Sequence, residues 1–252
     1  KDNIGLSCLI SSITVMDMKS YYLSLCKGLL VTFFFLLVNA CSTLQQATGF
    51  KDPFNHQLIQ GWSWIREHSG HWRMTPDALE IRVEPGNMWG PPNNAKNILV
   101  RDLPNLESKS WQIGVTMFNQ PTEQYEQVDL VWYYDDSHMV KIGQELVDGQ
   151  LSVVMGREEG DRTRTIAIIP LDSDKLRVKF EVEGKSIRGF FKTQGSNVWV
   201  LVGETDLPVF GIPKITIQCY QGPLNEERWA RIQDFEMTEL LSKKDKTHII
   251  YP

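Results

Sequence analysis

Cysteine is scarce in this chain. Four are present, Cys8, Cys26, Cys41 and Cys219, too few and too far apart to organise a disulfide framework. Positive charge is not in excess either. The formal net charge is −5, and no Lys/Arg run is interleaved with aromatics, so counterion release on nucleic acid has nothing to draw on and nucleic acid is not an expected partner. Five histidines occur, at positions 56, 68, 71, 138 and 248; apart from His68-x-x-His71 they show no zinc spacing, and that pair alone does not make a site. A G-x-S-x-G nucleophile elbow is missing, as is any apolar stripe of period 3.6 sustained over three turns. What remains is an ordinary globular composition, 42% hydrophobic and 23% charged over 252 residues, which suits one large core and a single domain. Eight tryptophans stand out, because indole fills a core but also offers a flat apolar platform with one polar N–H.

The one long apolar run is LLVTFFFLLV, residues 29 to 38, preceded by Lys19 and Lys27 and followed by Asn39, Ala40 and Cys41. Ten residues are half of the roughly 20 needed to span a bilayer, and the profile is that of a signal peptide. Val38-Asn39-Ala40-Cys41 resembles the lipobox of bacterial lipoproteins, in which the cysteine thiol takes a diacylglycerol. The resemblance implies cleavage before Cys41, lipidation of Cys41, export, and membrane attachment at the cell envelope through that lipid. Initiation at Met16 or Met18 gives a signal of usual length. On this reading residues 1–40 are an upstream segment and signal peptide, 41–57 the lipidated cysteine and a polar tether, 58–240 the folded domain and 241–252 a tail. Cys219 is then the only thiol left in the folded part.

From Gly61 onward the sequence alternates apolar and polar residues over five to nine positions and then turns. Leu79-Ile81-Val83, Trp111-Ile113-Val115-Met117 and Leu176-Val178-Phe180-Val182 each form one apolar face of a period-two strand. Ten further strands are expected: 62–67, 96–101, 127–134, 138–145, 150–156, 163–169, 186–192, 198–202, 214–220 and 229–237. Asp148-Gly149, Gly160-Asp161 and Glu183-Gly184 are hairpin turn signals. So many short antiparallel strands call for two packed sheets, an all-β sandwich of jelly-roll, concanavalin A-like type. The loop 84–95, EPGNMWGPPNNA, is the longest irregular stretch and carries Trp89, expected to be exposed.

GWSWIREHSGHW at 61–72, ALEIRVE at 78–84, NAKNILVRD at 94–102 and QVDLVWYYDDSHMVKIG at 127–143 resemble the concanavalin A-like domain at the C-terminus of bacterial β-xylosidases and the related domain of unknown function 1349. The likeness spans about residues 58–238. Gln127, Leu130, Tyr134, Asp135, Asp136 and Lys141 match the family's second block, whereas Val128 and Asp129 stand where small residues are usual. The resemblance implies a sandwich with a ligand-facing sheet and an association with carbohydrate. It implies no established reaction.

Strand parity selects candidate ligand-binding residues. Trp62, Trp64 and Arg66 share one face of their strand, and Ser63, Ile65 and Glu67 the other; Trp64 with Arg66 or Glu67, beside His71, is polar for a purely packed set. Along 127–134 the larger apolar set leaves Asp129, Val131 and Tyr133 outward, and hairpin pairing with the next strand brings Lys141 to them. Thr216, Gln218 and Tyr220 extend that face, and Asn94, Lys96 and Asn97 are placed to wall it, with Trp89 nearby. Indole faces stack on sugar C–H faces while such polar groups bind hydroxyls, so a glycan is the expected partner. Catalysis has less support. Glu126-Gln127-Val128-Asp129 lacks the Glu-x-Asp-x-x-Glu spacing of jelly-roll glucanases, and no Gln-x-His strand of alginate lyases is present; Asp129 or Glu67 would have to serve, with Tyr133 and Lys141. No cofactor is expected apart from a structural Ca²⁺ held by carboxylates such as Asp52 or Asp234. Three readings stay open: a non-catalytic carbohydrate-binding module, a glycosidase or lyase, and a structural or protein-binding lipoprotein.

Overall fold

A computed structural model describes residues 49–104 and 110–240. The signal-like run, the lipobox with Cys41 and the tail 241–252 lie outside the described residues. Among the described residues fifteen strands follow one another: β1 Gly49–Asp52, β2 Trp62–Ile65, β3 Trp72–Met74, β4 Leu79–Arg82, β5 Ile98–Asp102, β6 Ser110–Phe118, β7 Gln127–Asp135, β8 His138–Val147, β9 Gln150–Glu159, β10 Arg162–Pro170, β11 Lys175–Glu183, β12 Ser186–Thr193, β13 Val200–Asp206, β14 Lys214–Tyr220 and β15 Trp229–Glu239. The fold is all-β, as the alternation predicts. Among the described residues the one helical element is the 3-10 turn Ser69–His71, and no helix is long and apolar enough to cross a membrane.

The strands form two antiparallel sheets. One has seven strands in the order β10-β9-β8-β7-β14-β5-β2; the other has eight, β13-β12-β11-β6-β15-β4-β3, with β1 added beside β15. Alternation decides which side chains fill the space between them. In β11, Leu176, Val178, Phe180 and Val182 are buried while Arg177, Lys179 and Glu181 are less so, and Trp111, Ile113, Val115 and Met117 of the neighbouring β6 bury the matching face. From the seven-stranded sheet Val128, Leu130, Trp132, Val140, Ile142, Ile215, Ile217 and Cys219 join the same interior cluster. Each fully buried Leu, Ile or Phe there contributes about 1.5–3 kcal/mol through burial.

Short turns set the register. Asp148 and Gly149 both have positive φ, as do Gly160 and Asp161, and each pair links strands whose flanking residues are partners. That is the type I′ geometry, whose twist matches the hairpin. Gly184 alone is positive in the β11–β12 turn, the type II′ requirement.

Three features depart from the sequence reading. Gly49–Asp52, placed in the tether, is a strand that pairs with Phe235–Thr238; four residues with one polar end carry too little periodicity to stand out. β3, three residues long, was likewise not separable from its loop. The third is the loop 84–95, which does not stand away from the body. Met88 and Ala95 are buried with Ile98, Val131, Tyr133, Met139 and Tyr220 in a second apolar cluster on the outer face of the seven-stranded sheet, so Trp89 is half-buried and not exposed.

Candidate functional site

Parity along β7, β8 and β14 turns Gln127, Asp129, Lys141, Glu145, Gln218 and Tyr220 away from the sheet interface, yet all of them are buried. Lys141 is the centre. Its ammonium donates to Glu145 Oε2 at 3.0 Å and to Gln127 Oε1, and it lies 3.7 Å from Asp129 Oδ2. It also sits 4.9 Å from the ring centroid of Trp89 and 5.9 Å from that of Tyr220, within cation–π range. A lysine 2% exposed needs such company, because an unpaired charge there would be prohibitively desolvated.

Two glycines make room for this cluster. Gly143 is the cross-strand partner of Asp129, and a Cβ there would lie 2.3 Å from Asp129 Oδ1, so only glycine lets the carboxylate occupy that space. Gly156, the partner of Lys141 on β9, would put a Cβ 2.4 Å from Trp89 Cη2. The indole therefore rests directly on the sheet. Its loop is fastened there by Gly90 N–H donating to Glu158 Oε2 at 3.0 Å and by Asn87, whose amide exchanges hydrogen bonds with the Trp89 backbone at 2.8 and 3.0 Å.

Charge inside the cluster is unevenly matched, two carboxylates to one lysine. Burial, with a smaller push from Glu145, raises the Asp129 carboxyl to about 7 against the pull of Lys141. Burial alone would push the Lys141 ammonium down, but Asp129 and Glu145 together reverse this and hold it above the ordinary lysine value. Tyr220 is driven well up by burial and by the facing Asp129. Neither Asp129 oxygen makes a hydrogen bond at full contact, and the same is true of Gln218 Oε1.

Above the cluster opens a cavity of about 450 Å³ whose floor is Gln127, Lys141 and Glu145 and whose walls include Trp89 and Tyr125. Tyr125, 45% exposed, enters from the loop before β7. A wider depression of about 730 Å³, bounded by Gln124, Pro223 and Arg228, meets this cavity at Gln221. None of the buried cluster's side chains lines the larger hollow; the smaller one holds the chemistry.

The other expected site residues go elsewhere. Tyr133 keeps the outer face but donates to Asp136 Oδ1 at 2.8 Å, and Arg66 binds both Asp136 oxygens at 2.7 and 3.2 Å and the Ala95 carbonyl at 2.6 Å. Burial, reinforced by Asp136, raises the Tyr133 hydroxyl. These three form a separate knot. Trp64 packs against the interior cluster, 5.0 Å from the ring of Trp72, because the face it shares with Trp62 is the one turned toward the other sheet. Glu67 is exposed and accepts from Trp72 Nε1 at 3.0 Å. Asn94 caps its own loop through Asn87 N–H at 2.8 Å, and Lys96 is exposed. His71 and Asn97 gather instead with His68 and Glu84. Asp52 accepts from Phe54 N–H and Trp62 Nε1, both at 2.8 Å, and Asp234, exposed and with positive φ, lies where β15 bulges against β6.

Gln127, Glu145, Glu158 and Tyr125 were not among the expected ligand-binding residues. Gln127 and Glu145 obey the same parity as Asp129 and Lys141, so following it two residues back along β7 and four residues on along β8 reaches them. Glu158 needs the β8–β9 register and Tyr125 the fold of its loop.

No protein-family model and no curated protein matches the sequence. Solved structures do match the fold. A GH43 protein of Bacillus licheniformis, BlXynB, superposes with a TM-score of 0.66 at 17% identity over 75% of this chain and 39% of its own. A xylan beta-1,4-xylosidase from Bacillus halodurans C-125 gives the same TM-score, identity and coverage. The exoplasmic/lumenal domain of VIP36, in a Ca²⁺- and mannose-bound form, reaches 0.54 at 10% identity over 80% of this chain and 92% of its own. The chain spans well under half the length of the GH43 proteins, and at these identities the likeness establishes a two-sheet sandwich shared with carbohydrate-acting and carbohydrate-binding proteins.

Proposed function

We propose that the cavity over Lys141 holds a glycan without cleaving it, and that the chain is a non-catalytic carbohydrate-binding module of the kind found at the C-terminus of bacterial β-xylosidases. The observation that carries this reading is the floor. Gln127, Lys141 and Glu145 are fixed by one another beneath the Trp89 ring, so polar groups for hydroxyls and an aromatic face stand together in one hollow. Lys141 and Glu145 neutralise each other, which favours an uncharged sugar over a uronate. The adjoining depression at Gln221 suits a chain of several residues. Cleavage is less favoured, since Asp129 is buried beside Lys141 and does not line the cavity, and Glu145 is held by the same lysine, whereas hydrolysis asks for carboxylates flanking the bond. A lyase role for Tyr133 is equally poorly served, because Asp136 engages its hydroxyl.

Affinity electrophoresis and calorimetry against xylan, xyloglucan and mannan test the proposal. The wild type is expected to bind a neutral polysaccharide, and Trp89→Ala with Tyr125→Ala to weaken binding at least about tenfold, as truncating anchoring aromatics does, with the wild-type circular dichroism retained. Binding that survives both substitutions, or release of reducing ends by the wild type that Asp129→Asn abolishes, overturns it.

We further propose that the run 29–38 directs export and that Cys41 is lipidated, so that the module is displayed from the bacterial envelope. Support comes from the apolar run and the lipobox-like tetrapeptide alone. Metabolic labelling with a radioactive fatty acid, lost in Cys41→Ser, is the expected result; unchanged labelling refutes it.

A further inference from the structure

Apart from the glycan cavity, three metal-ligating side chains converge from two parts of the chain. His68 and His71 bracket the 3-10 turn Ser69–His71, closed by His71 N–H donating to the His68 carbonyl at 2.9 Å. Residues i and i+3 eclipse in such a turn, and the two ring centroids are 3.7 Å apart. Glu84 arrives just after β4, its backbone anchored by Gly222 N–H at 3.0 Å. Its Oε1 lies 2.8 Å from His71 Nδ1 and 3.9 Å from His68 Nδ1, and all three residues offer ligand atoms within 4.8 Å of one another.

A second layer orients these groups. Asn97, fully buried, donates through Nδ2 to Glu84 Oε2 at 3.3 Å and accepts His68 N–H on Oδ1 at 2.7 Å. One amide thus holds both the carboxylate and the turn that carries the histidines, leaving Oε1 aimed at the imidazoles. Outer hydrogen bonds to a ligating carboxylate are what metal centres use to fix it.

We infer that His68, His71 and Glu84 form a binding site for one divalent transition-metal ion of borderline softness, Zn²⁺ being the reference case, with a fourth position open to water. Two imidazole nitrogens and one carboxylate oxygen are the donor set of open zinc centres, whereas Ca²⁺ and Mg²⁺ seek oxygen alone. Tetrahedral ligands at zinc bond lengths stand about 3.3 Å from each other, and the two distances to Glu84, 2.8 and 3.9 Å, lie on either side of that value. Side-chain rotations bring them to it and must also part the two rings, whose centroids, now 3.7 Å apart, would stand about 5 Å apart on one tetrahedral zinc. Arg82 opposes the ion: its Nη1 donates to His71 Nε2 at 3.3 Å, which keeps the proton on Nδ1. When the ion takes Nδ1, that proton moves to Nε2 and Arg82 must turn to Glu227, already 3.5 Å from the same nitrogen.

The test is titration of the chelator-treated full chain, in mild detergent, with Zn²⁺ by calorimetry and with Co²⁺ by visible absorption. One ion per chain is expected, with d–d bands of a nitrogen- and oxygen-ligated Co²⁺. His68→Ala and Glu84→Gln should each weaken binding at least about tenfold, by analogy with the effect of losing even an outer-layer partner, while Arg82→Leu should strengthen it. Absence of binding to the wild type overturns the site. So does binding indifferent to His68→Ala and Glu84→Gln, which would place the ion on other histidines. If either variant fails to keep the wild-type circular dichroism, the wild-type cobalt spectrum and the response to Arg82→Leu decide, and unchanged or weaker binding in Arg82→Leu counts against the site.

Discussion

Removing either member of the buried pair Asp129–Lys141 should have opposite consequences. A carboxyl whose ionisation moves from 3.8 to about 7 is disfavoured as an anion in the folded protein. Its folded-state value is raised, so its favourable contribution is complete below pH 3.8 and is lost as the pH climbs through 7. At about 1.4 kcal/mol per pH unit travelled, the loss is on the order of 4 kcal/mol by pH 8, more than half of it falling above pH 5. Asp129→Asn cannot ionise, and it leaves Lys141 and Glu145 as a one-to-one pair at 3.0 Å. The variant should therefore be at least as stable as the wild type at pH 8 and should lose about 3 kcal/mol less between pH 5 and pH 8. Lys141→Met strands two buried carboxylates and should cost about 3–5 kcal/mol at pH 8. Urea denaturation of wild type and both variants at pH 5 and pH 8 measures all of this. A decline in Asp129→Asn as steep as that of the wild type, or a Lys141→Met protein of undiminished stability at pH 8, would refute the reasoning.

Gly156→Val places a side chain where the Trp89 ring now rests; we expect a loss of about 1–3 kcal/mol and a red-shifted tryptophan emission, and an unaltered spectrum would count against the seating of that ring. Asp52→Ala leaves Phe54 N–H and Trp62 Nε1 without their acceptor and should cost about 3 kcal/mol in chemical denaturation. Burial raises the Cys219 thiol far above its usual range, so alkylation mapped by mass spectrometry should modify Cys219 only once the sandwich unfolds.

Much of the architecture was legible because alternation is a local signal. Leu176 to Val182 announces a strand with one greasy side whatever its neighbours are, and Asp148-Gly149 announces the turn that fixes the next pairing. The same parity placed Asp129, Lys141, Gln218 and Tyr220 on one face. It did not separate Tyr133 from them, since the pull of Asp136 and Arg66 is a matter of side-chain reach and not of strand direction. Trp64 shows the opposite limit: parity grouped it with Trp62, but which of two faces meets the second sheet is decided by the whole assembly. The seating of Trp89 against Gly156 and the meeting of Glu84 with His71 join residues far apart in sequence, and no short-range pattern contains them.

The pairing of β1 with β15 bears on how the sandwich meets mechanical load. Gly49 lies opposite Thr238, so the chain enters and leaves this sheet at the same end of one short ladder. Tension applied through both flanking segments pulls the two strands apart like a zipper, one rung after another, rather than shearing every rung together. Those four pairs should therefore yield first and at low force, working as a short extensible fuse that lets the remaining strands and the Lys141 cavity keep their shape.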